Sequence, residues 1–337
     1  MKILAVDTSC DESCVAIVDT QSWRLLADVV HSHVDAMKRF GGVVPEVASR
    51  EHLKALPLAV EQALETANCS LQDIDWFAVS DRPGLIGALL VGVSYVKAAA
   101  FALEKPYTGL NHIEAHLYSP LLSTFEGGQA PAFPWIALVV SGGHTELFHV
   151  KNECEYEWLG GTLDDAAGEA YDKIGKVLGL GYPAGPKLDR WVRESATDSD
   201  RNKFAFPVAR TSEFDFSFSG LKTAVSVEVG KQRMSDPRRL QIAASAQEAI
   251  LEALCTKVRE ASAKLGVPQI VATGGVACNS RFRAVLREAH FPAPRHCTDN
   301  AAMVAALAAV RLRQGKLAPS EWTQTPSPRA DFGPTLS

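Results

Sequence analysis

Two histidines four residues apart form a candidate metal-binding pair. His112 and His116 lie in the segment Asn111–His116, and on a helix this spacing puts both imidazoles on one face. Such a pair also occurs by chance on amphipathic helices, so a third ligand is needed to support metal binding. Asp299, directly before a predicted helix at 300–313, is the best candidate, although N-capping that helix is an equally natural role for it. Two imidazoles and a carboxylate would suit Zn²⁺ or Fe²⁺ about equally.

The sequence argues against several other chemistries. In a zinc protease of the HExxH kind the glutamate directly follows the first histidine, whereas Glu114 follows His112 by two residues and points about 200° away round the helix. The chain contains no GxxxxGK[ST] phosphate loop and no GxSxG nucleophile elbow. The loose GxGxxA match at 179–184 follows a helix and contains a proline, which argues against a dinucleotide-binding turn.

Three polar or glycine-rich turns follow predicted strands, at 7–11, 141–143 and 274–275. Backbone amides in such turns bind anions, and a helix that starts directly after the turn adds its dipole. A hairpin turn needs glycine or aspartate in any case, so one turn alone would carry little weight. The repetition of the arrangement favours a site for a phosphate or another polar group.

Carboxylates and basic residues accompany these turns. Asp172 lies in the third turn of a predicted helix at 164–178, where complementing the helix dipole does not explain it. The Gly/Pro segment 181–186 predicts a rigid turn, and Asp189 follows it. Carboxylates beside glycine turns can accept hydrogen bonds from ribose hydroxyls or amines. Clusters of basic residues are usually solvated faces, and the alternative is contact with a nucleic-acid backbone. The chain has three basic clusters, at 187–210, 231–239 and 281–287.

Short apolar runs alternate with helical patterns in both halves of the chain. The pattern predicts an α/β fold with a mixed sheet flanked by helices in each half, joined by a Gly/Pro-rich linker at 126–133. A Pro/Ser-rich tail from Gly315 is expected on the surface. Strands are predicted at 3–6, 15–18, 25–30, 76–79, 136–140, 145–150, 156–159 and 269–272. Helices are predicted at 46–67, 111–122, 164–178, 220–229, 237–265, 279–289 and 300–313, and a further helix is predicted to begin at 84.

Composition indicates a soluble globular protein. Of the 337 residues 47% are hydrophobic and 22% are charged, and the net charge is −5, which argues against a protein that is basic all over. The seven scattered cysteines lack CxxC spacing and are typical of reduced intracellular thiols. The apolar stretch 85–103 is broken by Lys97 and favours a buried helix over a membrane span. Because a strand pattern starts at Ile3, we expect no signal peptide and a cytoplasmic location.

Taken together, eight segments resemble the tRNA N6-adenosine threonylcarbamoyltransferase family, in its bacterial TsaD branch. They follow the order of that family and span nearly the whole chain. The resemblance implies an α/β fold of the actin/Hsp70/sugar-kinase (ASKHA) type, in which two lobes, each a mixed sheet flanked by helices, surround a central nucleotide cleft. It implies an N-lobe at 1–125, completed by 299–337, and a C-lobe at 134–298. The matching segments are 6–12, 41–50, 111–116, 139–145, 164–173, 216–223, 274–279 and 297–300.

The resemblance implies an acyl transfer to tRNA. A threonylcarbamoyl group would move from threonylcarbamoyl-AMP to N6 of the adenosine 3′ of the anticodon in ANN-decoding tRNAs, which forms threonylcarbamoyl-adenosine (t6A). One divalent ion per chain, Fe²⁺ or Zn²⁺, would be bound by His112, His116 and Asp299 and polarise the substrate. ATP or ADP could bind in the same cleft, and no catalytic residue is implied beyond the metal centre. The implied substrate contacts are Val139, Val140, Ser141, Gly142, Gly143, Asp172, Gly185, Asp189 and Asn279.

Several partners are implied besides tRNA. They are a degenerate paralogue similar to TsaB on the helices of the N-lobe, a small ATPase similar to TsaE, and an upstream threonylcarbamoyl-AMP synthase; no membrane is implied. Four apolar residues of the predicted helices could form the paralogue's docking face, although a core position is the commoner role for such residues. These are Leu53, Leu56, Leu85 and Leu89.

Three positions depart from the family pattern, and two other functions stay open. Arg82 replaces a glycine, which would cost about 1–2 kcal/mol if the position required a positive φ. Ala184 replaces the first of two glycines before Pro186, and Cys278 stands where a small residue such as alanine is usual. One alternative function is a kinase or ATPase of the same superfamily, which would have no use for the histidine pair. The other is a scaffolding paralogue without catalytic activity, which would lack both histidines.

Overall fold

In a computed structural model the chain forms two units, described for residues 1–232, 234–330 and 332. Unit 1 consists of Met1–Pro131, Lys151–Glu155 and the described residues of Asp299–Ser337. Unit 2 consists of Ala132–Val150 and Tyr156–Thr298. Arg233 of the second basic cluster, and residues 331 and 333–337 of the expected N-lobe, lie outside the described residues.

The strands and helices are numbered in chain order. The strands are β1 (Lys2–Asp7), β2 (Glu12–Asp19), β3 (Arg24–Ser32), β4 (Trp76–Arg82), β5 (Tyr107–Asn111), β6 (Trp135–Val140), β7 (Thr145–Asn152), β8 (Glu155–Gly161), β9 (Ile270–Thr273) and β10 (Ala289–His290). The α-helices are α1 (Val34–Lys38), α2 (Pro45–Thr66), α3 (Ile86–Ala102), α4 (His112–Tyr118), α5 (Leu122–Phe125), α6 (Ala167–Val177), α7 (Gly185–Ser195), α8 (Asp198–Arg201), α9 (Ser219–Gly230), α10 (Asp236–Leu265), α11 (Ser280–Val285), α12 (Pro294–Cys297) and α13 (Ala301–Arg313). Three 3-10 helices occupy Leu71–Asp73, Ser119–Leu121 and Gly275–Cys278.

Unit 1 is built on a five-stranded mixed sheet with the order β3-β2-β1-β4-β5. β1 and β2 form an antiparallel hairpin, with Ile3 opposite Val18, and β4 pairs in parallel with both β1 and β5. The apolar runs of β1 and β2 are buried, as expected for central strands covered on both faces. The predicted hairpin at 7–11 is therefore confirmed.

Helices cover both faces of this sheet. Leu56, Val60 and Val96 on α2 and α3 belong to one core with β1 and β4. α13 packs against β1 and β2, and its residues 301–310 are all buried, which its many alanines allow because small side chains let a helix approach a sheet closely. Within the described residues, no helix has both the length and the apolarity needed to cross a membrane.

Unit 2 repeats the plan with the strand order β10-β9-β6-β7-β8. β6 and β7 are antiparallel, β6 and β9 are parallel, and the turn between β6 and β7 closes with the amide of Ser141 donating to the carbonyl of His144 (2.8 Å). Val140 and Leu147 join residues of α6, α7 and α10 in one core. The two mixed sheets flanked by helices confirm the predicted α/β class.

Two helices differ from their predicted bounds. The helix expected from 164 begins at Ala167, because the Asp164 carboxylate instead accepts hydrogen bonds from the hydroxyls of Ser217 and Ser219 (2.6 and 2.7 Å). The helix expected over 279–289 ends at Val285.

The segment expected as a rigid turn at 181–186 already contains the start of α7. Pro186 lies in the first turn of that helix, where the missing amide hydrogen costs nothing. A Gly/Pro run can therefore begin a helix as well as interrupt one.

Two departures from the family pattern are accommodated locally. Arg82 ends β4 at a negative φ and donates to Oδ1 of Asp81 (2.6 Å), so the conditional strain cost does not arise. The methyl group of Ala184 is buried against Gly175, where a Cβ would overlap it. Glycine at 175 thus makes room for alanine at 184.

The tail expected on the surface also packs along β5. The amide of Ser320 donates to the carbonyl of Tyr107 (2.8 Å), and the hydroxyl of Thr108 donates to the carbonyl of Ala318 (2.7 Å). The Tyr107 hydroxyl donates to the carbonyl of Glu321 (2.6 Å). The tail thereby occupies the outer edge of the first sheet.

Candidate active site

The predicted histidine pair starts α4. The Asn111 side chain caps this helix by accepting from the amides of Ile113 (2.8 Å) and Glu114 (3.2 Å). The cap fixes the first turn, so His112 and His116 project from one face with their ring centroids 4.8 Å apart. Both imidazoles are buried.

Asp299 comes from the far end of the sequence to the same place in unit 1. Its Oδ1 lies 3.5 Å from Nε2 of His112 and 3.3 Å from Nε2 of His116. The N-cap of α13 is the next residue, Asn300, whose Oδ1 accepts from the amide of Met303 (2.9 Å). The alternative role of Asp299 as the cap is therefore wrong, and its carboxylate points to the histidines.

Asp7, at the end of β1, orients the first histidine. Its Oδ2 lies 2.7 Å from Nδ1 of His112 and accepts from the hydroxyl of Ser80 (2.9 Å), while its Oδ1 accepts from the amide of Ser9 (2.8 Å). A proton on Nδ1 leaves the lone pair of Nε2 directed at Asp299. Carboxylates commonly hold metal-binding histidines in this way.

Asp7 and Asp299 shift the protonation of the two histidines. Although burial opposes the charged form, Asp7 and Asp299 raise the pKa of His112 well above its ordinary value, and the two histidines hold the pKa of Asp299 well below its own. Burial lowers the pKa of His116 and so favours the neutral imidazole. Burial together with Asp11 and Asp299 raises the pKa of Glu12 well above the usual range, which favours its neutral form. The carboxylates of Asp7 and Asp299 both contact a histidine, so a bound cation would interact favourably with both.

The donor set fits a divalent transition metal. One atom from each of His112, His116 and Asp299 lies within 4.8 Å of the other two. Two imidazole nitrogens and one carboxylate oxygen suit Zn²⁺ or Fe²⁺.

Glu114 takes no part in this cluster. Its carboxylate receives two hydrogen bonds from Nη2 of Arg311 on α13 (2.6 and 2.8 Å). The arrangement agrees with the expectation that Glu114 points away from the histidine face. A protease mechanism with this glutamate as general base is thereby excluded.

The predicted substrate contacts lie in unit 2. Val139 and Val140 end β6, and Ser141, Gly142 and Gly143 form the turn to β7. Gly142 and Gly143 are exposed, and a Cβ at either position would meet open space among the described residues. A ligand can therefore approach the backbone of this turn closely.

Asp172 and Gly185 lie next to each other. Oδ1 of Asp172, on α6, accepts from the amides of Ala184 (2.7 Å) and Gly185 (3.2 Å) at the start of α7. The carboxylate thus fixes the entry to α7. Its role as a substrate contact stays a prediction.

Asp189 and Asn279 meet through Ser280. The Asp189 carboxylate accepts from the amide (3.0 Å) and the hydroxyl (2.8 Å) of Ser280 at the start of α11. Asn279 caps that helix by accepting from the amide of Phe282 (2.9 Å), and its Nδ2 donates to Gln247 (3.1 Å). The structure brings these two predicted contacts together on the α7–α11 side of unit 2.

Gly274 shows why a turn glycine follows β9. Its φ is +90°, and a Cβ there would overlap the backbone of Val140. The turn therefore lies directly against the end of β6, which brings the predicted glycine turns at 141–143 and 274–275 close together.

Two groups were not singled out by the sequence. Asp7 is one carboxylate among several in its turn, and only the fold brings it to His112. Glu146 on β7 accepts from Nε1 of Trp158 (2.7 Å), and burial, with a contribution from Asp215, raises its pKa to about 7. The spacing of residues in the sequence indicates neither contact, because only the fold brings His112 to Asp7 and Trp158 to Glu146.

Comparison with known proteins places the chain in a family. The family model described as tRNA N6-adenosine threonylcarbamoyltransferase (TsaD) matches residues 24–306. The chain belongs to this family. The protein of that name from Nitrosospira multiformis is 45% identical over 94% of this chain and 92% of its own length. The one from Brachyspira hyodysenteriae is 46% identical over 91% of each chain. The predicted family and its acyltransferase class are confirmed.

Solved structures support the fold class. Full-length HypF in its phosphate- and nucleotide-bound form has a TM-score of 0.60 at 11% identity over 93% of this chain. HypF from T. kodakarensis has a TM-score of 0.63 at 14% identity over 94% of this chain. The chain spans about half of each HypF chain, 55% and 49% respectively. At such identities the likeness concerns the fold alone, and it agrees with the predicted two-lobed α/β class.

Proposed function

We propose that this member of the tRNA N6-adenosine threonylcarbamoyltransferase family forms t6A in ANN-decoding tRNAs. The observation that carries the proposal is the convergence of His112, His116 and Asp299, whose ligand atoms lie within 4.8 Å of one another in a chain of this family. A kinase or ATPase of the same fold would have no evident use for two buried imidazoles directed at one carboxylate.

The reaction is an acyl transfer. N6 of the adenosine attacks the carbamoyl carbon of threonylcarbamoyl-AMP, the new N–C bond forms, and the bond from that carbon to the phosphate oxygen breaks. AMP leaves with the electron pair, and the attacking nitrogen loses one proton. The exocyclic amine is a weak nucleophile, so the site must make the carbonyl more electrophilic and hold both reactants in place.

Three side chains would hold the metal ion. We assign Nε2 of His112, Nε2 of His116 and a carboxylate oxygen of Asp299 as its ligands, with Asp7 fixing the first imidazole. A bound Zn²⁺ or Fe²⁺ supplies Lewis acidity toward an oxygen of the substrate. Burial of both histidines, with partial burial of Asp299, restricts water and strengthens their electrostatic interactions.

Backbone and polar groups of unit 2 would bind the acyl-adenylate. The exposed Gly142–Gly143 turn offers amides to a phosphate or carbonyl oxygen, with Val139 and Val140 forming the floor of that turn. Asp189 and Asn279 would contact ribose hydroxyls, and Asp172 would hold the Gly185 backbone in place for the ligand. ATP or ADP could use the same contacts, since both share the adenylate.

We further propose that a TsaB-like paralogue docks on α2 and α3. Leu56 and Leu89 are fully buried, so two of the four predicted docking residues belong to the core; Leu53, in contrast, is 63% exposed. It lies one turn beyond Ser49, which contacts α3 at Gly87. The other exposed apolar side chains of the two helices are Leu58, Ile86, Leu90 and Phe101.

The remaining partners follow from the reaction. A TsaE-like ATPase would support turnover, and a synthase must supply threonylcarbamoyl-AMP. Because the acceptor is tRNA, we propose a cytoplasmic location.

Reconstitution tests the function. The purified protein is mixed with enzymatically generated threonylcarbamoyl-AMP, the helper proteins and unmodified tRNA, and the digested nucleosides are analysed by mass spectrometry for t6A. We expect product with the wild type and with the control His31→Ala, whose imidazole contacts Gln62 at the surface, and none with His112→Ala. Absence of product with the wild type, accompanied by ATP hydrolysis or phosphate transfer, would identify a kinase-like relative instead.

A further inference from the structure

Two of the three basic clusters found in the sequence are largely neutralised inside unit 2. In the third cluster, the guanidinium of Arg281 donates to both carboxylate oxygens of Glu248 (2.8 and 3.0 Å). In the second cluster, Lys231 and Arg238 share the carboxylate of Glu228. Most of the charge of these two clusters is therefore used within the fold.

The first cluster places three cations on one face of α7. Lys187, Arg190 and Arg193 are exposed and recur every three residues, so together they cover about 120° of the helix surface. Leu188 and Val192 belong to the core on the opposite side of the helix. We call the exposed surface formed by Lys187, Arg190 and Arg193 the cationic face.

Little in the structure neutralises the cationic face. Within the described residues, the guanidinium of Arg190 makes no hydrogen bond and no ion pair. Nζ of Lys187 donates only to two uncharged backbone carbonyls of the loop before α7 (3.1 and 3.2 Å). Arg193 lies 3.6 Å from Glu194, and both side chains are more than half exposed, so water screens this pair. Three cations against one exposed carboxylate leave this surface positive.

The same helix carries two residues of the proposed substrate site. Gly185 begins α7, and its amide donates to the carboxylate of Asp172 (3.2 Å). Asp189 is buried and accepts from the amide and the hydroxyl of Ser280. At 1.5 Å per residue, α7 rises about 12 Å from Gly185 to Arg193, and a helix is about 10–12 Å across. The cationic face therefore lies one helix width from these proposed substrate contacts.

We propose that the cationic face of α7 binds the phosphate backbone of the substrate tRNA. The identity of this polyanion rests on the proposed function, whereas the charge of the face does not. Lysine and arginine contact phosphates without reading the sequence, so this face positions the tRNA rather than selects it. Because the net charge of the chain is −5, a polyanion can be attracted only to a local surface of this kind.

The salt dependence of tRNA binding tests the proposal. Fluorescence anisotropy with a labelled, unmodified ANN-decoding tRNA gives the dissociation constant of the full-length protein, alone and with the helper proteins, between about 50 and 200 mM KCl. Arg190→Gln/Arg193→Gln should weaken binding about tenfold at about 100 mM salt and reduce the slope of log K against log salt by about 1.4, since each contact with a single-strand phosphate contributes about 0.7. Arg190→Lys should bind like the wild type, because a phosphate contact needs the charge above all.

A matched control separates the cationic face from net charge. Lys231→Gln/Arg287→Gln removes two exposed cations of the other two clusters and changes the net charge equally. Its salt slope should equal that of the wild type. Calorimetry with AMP should give one affinity for the wild type and both double variants, because the cationic face is not part of the proposed adenylate contacts.

The outcomes distinguish this proposal from the proposed function. An equal fall in slope for the control variant, or unchanged tRNA binding by Arg190→Gln/Arg193→Gln, would overturn the role of the cationic face and leave t6A formation untouched. Unchanged tRNA binding with loss of t6A formation in the presence of the helper proteins would assign the face to a protein partner instead, and would also overturn the proposal. If the wild type shows the expected salt dependence and the variants their expected losses, but no t6A forms, the cationic face stands and the proposed function fails.

Discussion

Oδ2 of Asp7 lies 2.7 Å from Nδ1 of His112, although 105 positions separate the two residues in the sequence. The contact joins the end of β1 to the first residue of α4. It directs the other ring nitrogen of His112 toward Asp299. The orientation of this candidate metal ligand is therefore set by the first strand of the chain.

Asp7→Asn is expected to weaken metal binding without removing a ligand. The amide keeps the shape of the carboxylate but lacks its charge, so we expect about a 10–100-fold loss of affinity. Competition with a chromophoric chelator for Zn²⁺ measures the change. Asp19→Asn, at the surface turn between β2 and β3, is the control, and equal effects of the two substitutions would contradict the role of Asp7.

His112→Ala should abolish both bound metal and t6A formation while the protein stays folded. The variant removes one of three ligands and leaves a small cavity at the start of α4. Metal content by mass spectrometry, circular dichroism and the reconstitution assay provide the three readouts. Loss of the folded state would instead identify the histidine pair as structural.

Asp172→Ala is expected to weaken binding of the adenylate more than it reduces metal content. Its Oδ1 anchors the amides of Ala184 and Gly185 in unit 2, whereas all three proposed metal ligands belong to unit 1. Calorimetry with AMP and metal analysis of the same preparation make the comparison. Equal losses in both would place Asp172 among the metal ligands.

Glu146 should make stability depend on pH between about 4 and 7. Its pKa is about 7 in the folded protein and near 4.3 in an unfolded chain, so the folded state binds more protons in this interval and stability falls as pH rises. Above pH 7 the cost reaches at most about 4 kcal/mol, which neutral glutamine would avoid.

Glu146→Gln is therefore expected to raise the free energy of unfolding much more at pH 8 than at pH 5. Urea titrations at both pH values test this, with the exposed Glu157→Gln as control. An equal gain at both pH values would show that ionisation of Glu146 is not the cause.

Gly175→Ala should destabilise the protein by about 1–3 kcal/mol, despite the better helix propensity of alanine, because the new methyl group overlaps that of Ala184. The double variant with Ala184→Gly should recover most of the loss. Chemical denaturation of the single and double variants measures the coupling. A Gly175→Ala protein more stable than the wild type would show that the two methyl groups can separate.

Local sequence patterns predicted much of this molecule. The hairpins at both sheet starts, the helical spacing of His112 and His116, and the alanine-rich α13 depend on short-range chemistry, and the structure contains them. The family resemblance supplied Asp299 as a ligand more firmly than spacing could. The contacts of Asp7 and Glu146 could not be predicted, because strand order and packing create them. The start of α7 was not predicted because a proline beside glycines usually indicates a turn. The structure shows that Pro186 instead lies in the first turn of the helix.

The position of α13 has a consequence for synthesis of the protein. This helix, with residues 301–310 buried against β1 and β2, is translated after nearly all of unit 2, and it follows directly on Asp299. The first hairpin therefore leaves the ribosome long before the helix that covers one of its faces. The face of β1 and β2 that α13 covers therefore stays open until translation has passed residue 313, so this part of unit 1 can complete its core only after the whole of unit 2 has been synthesised.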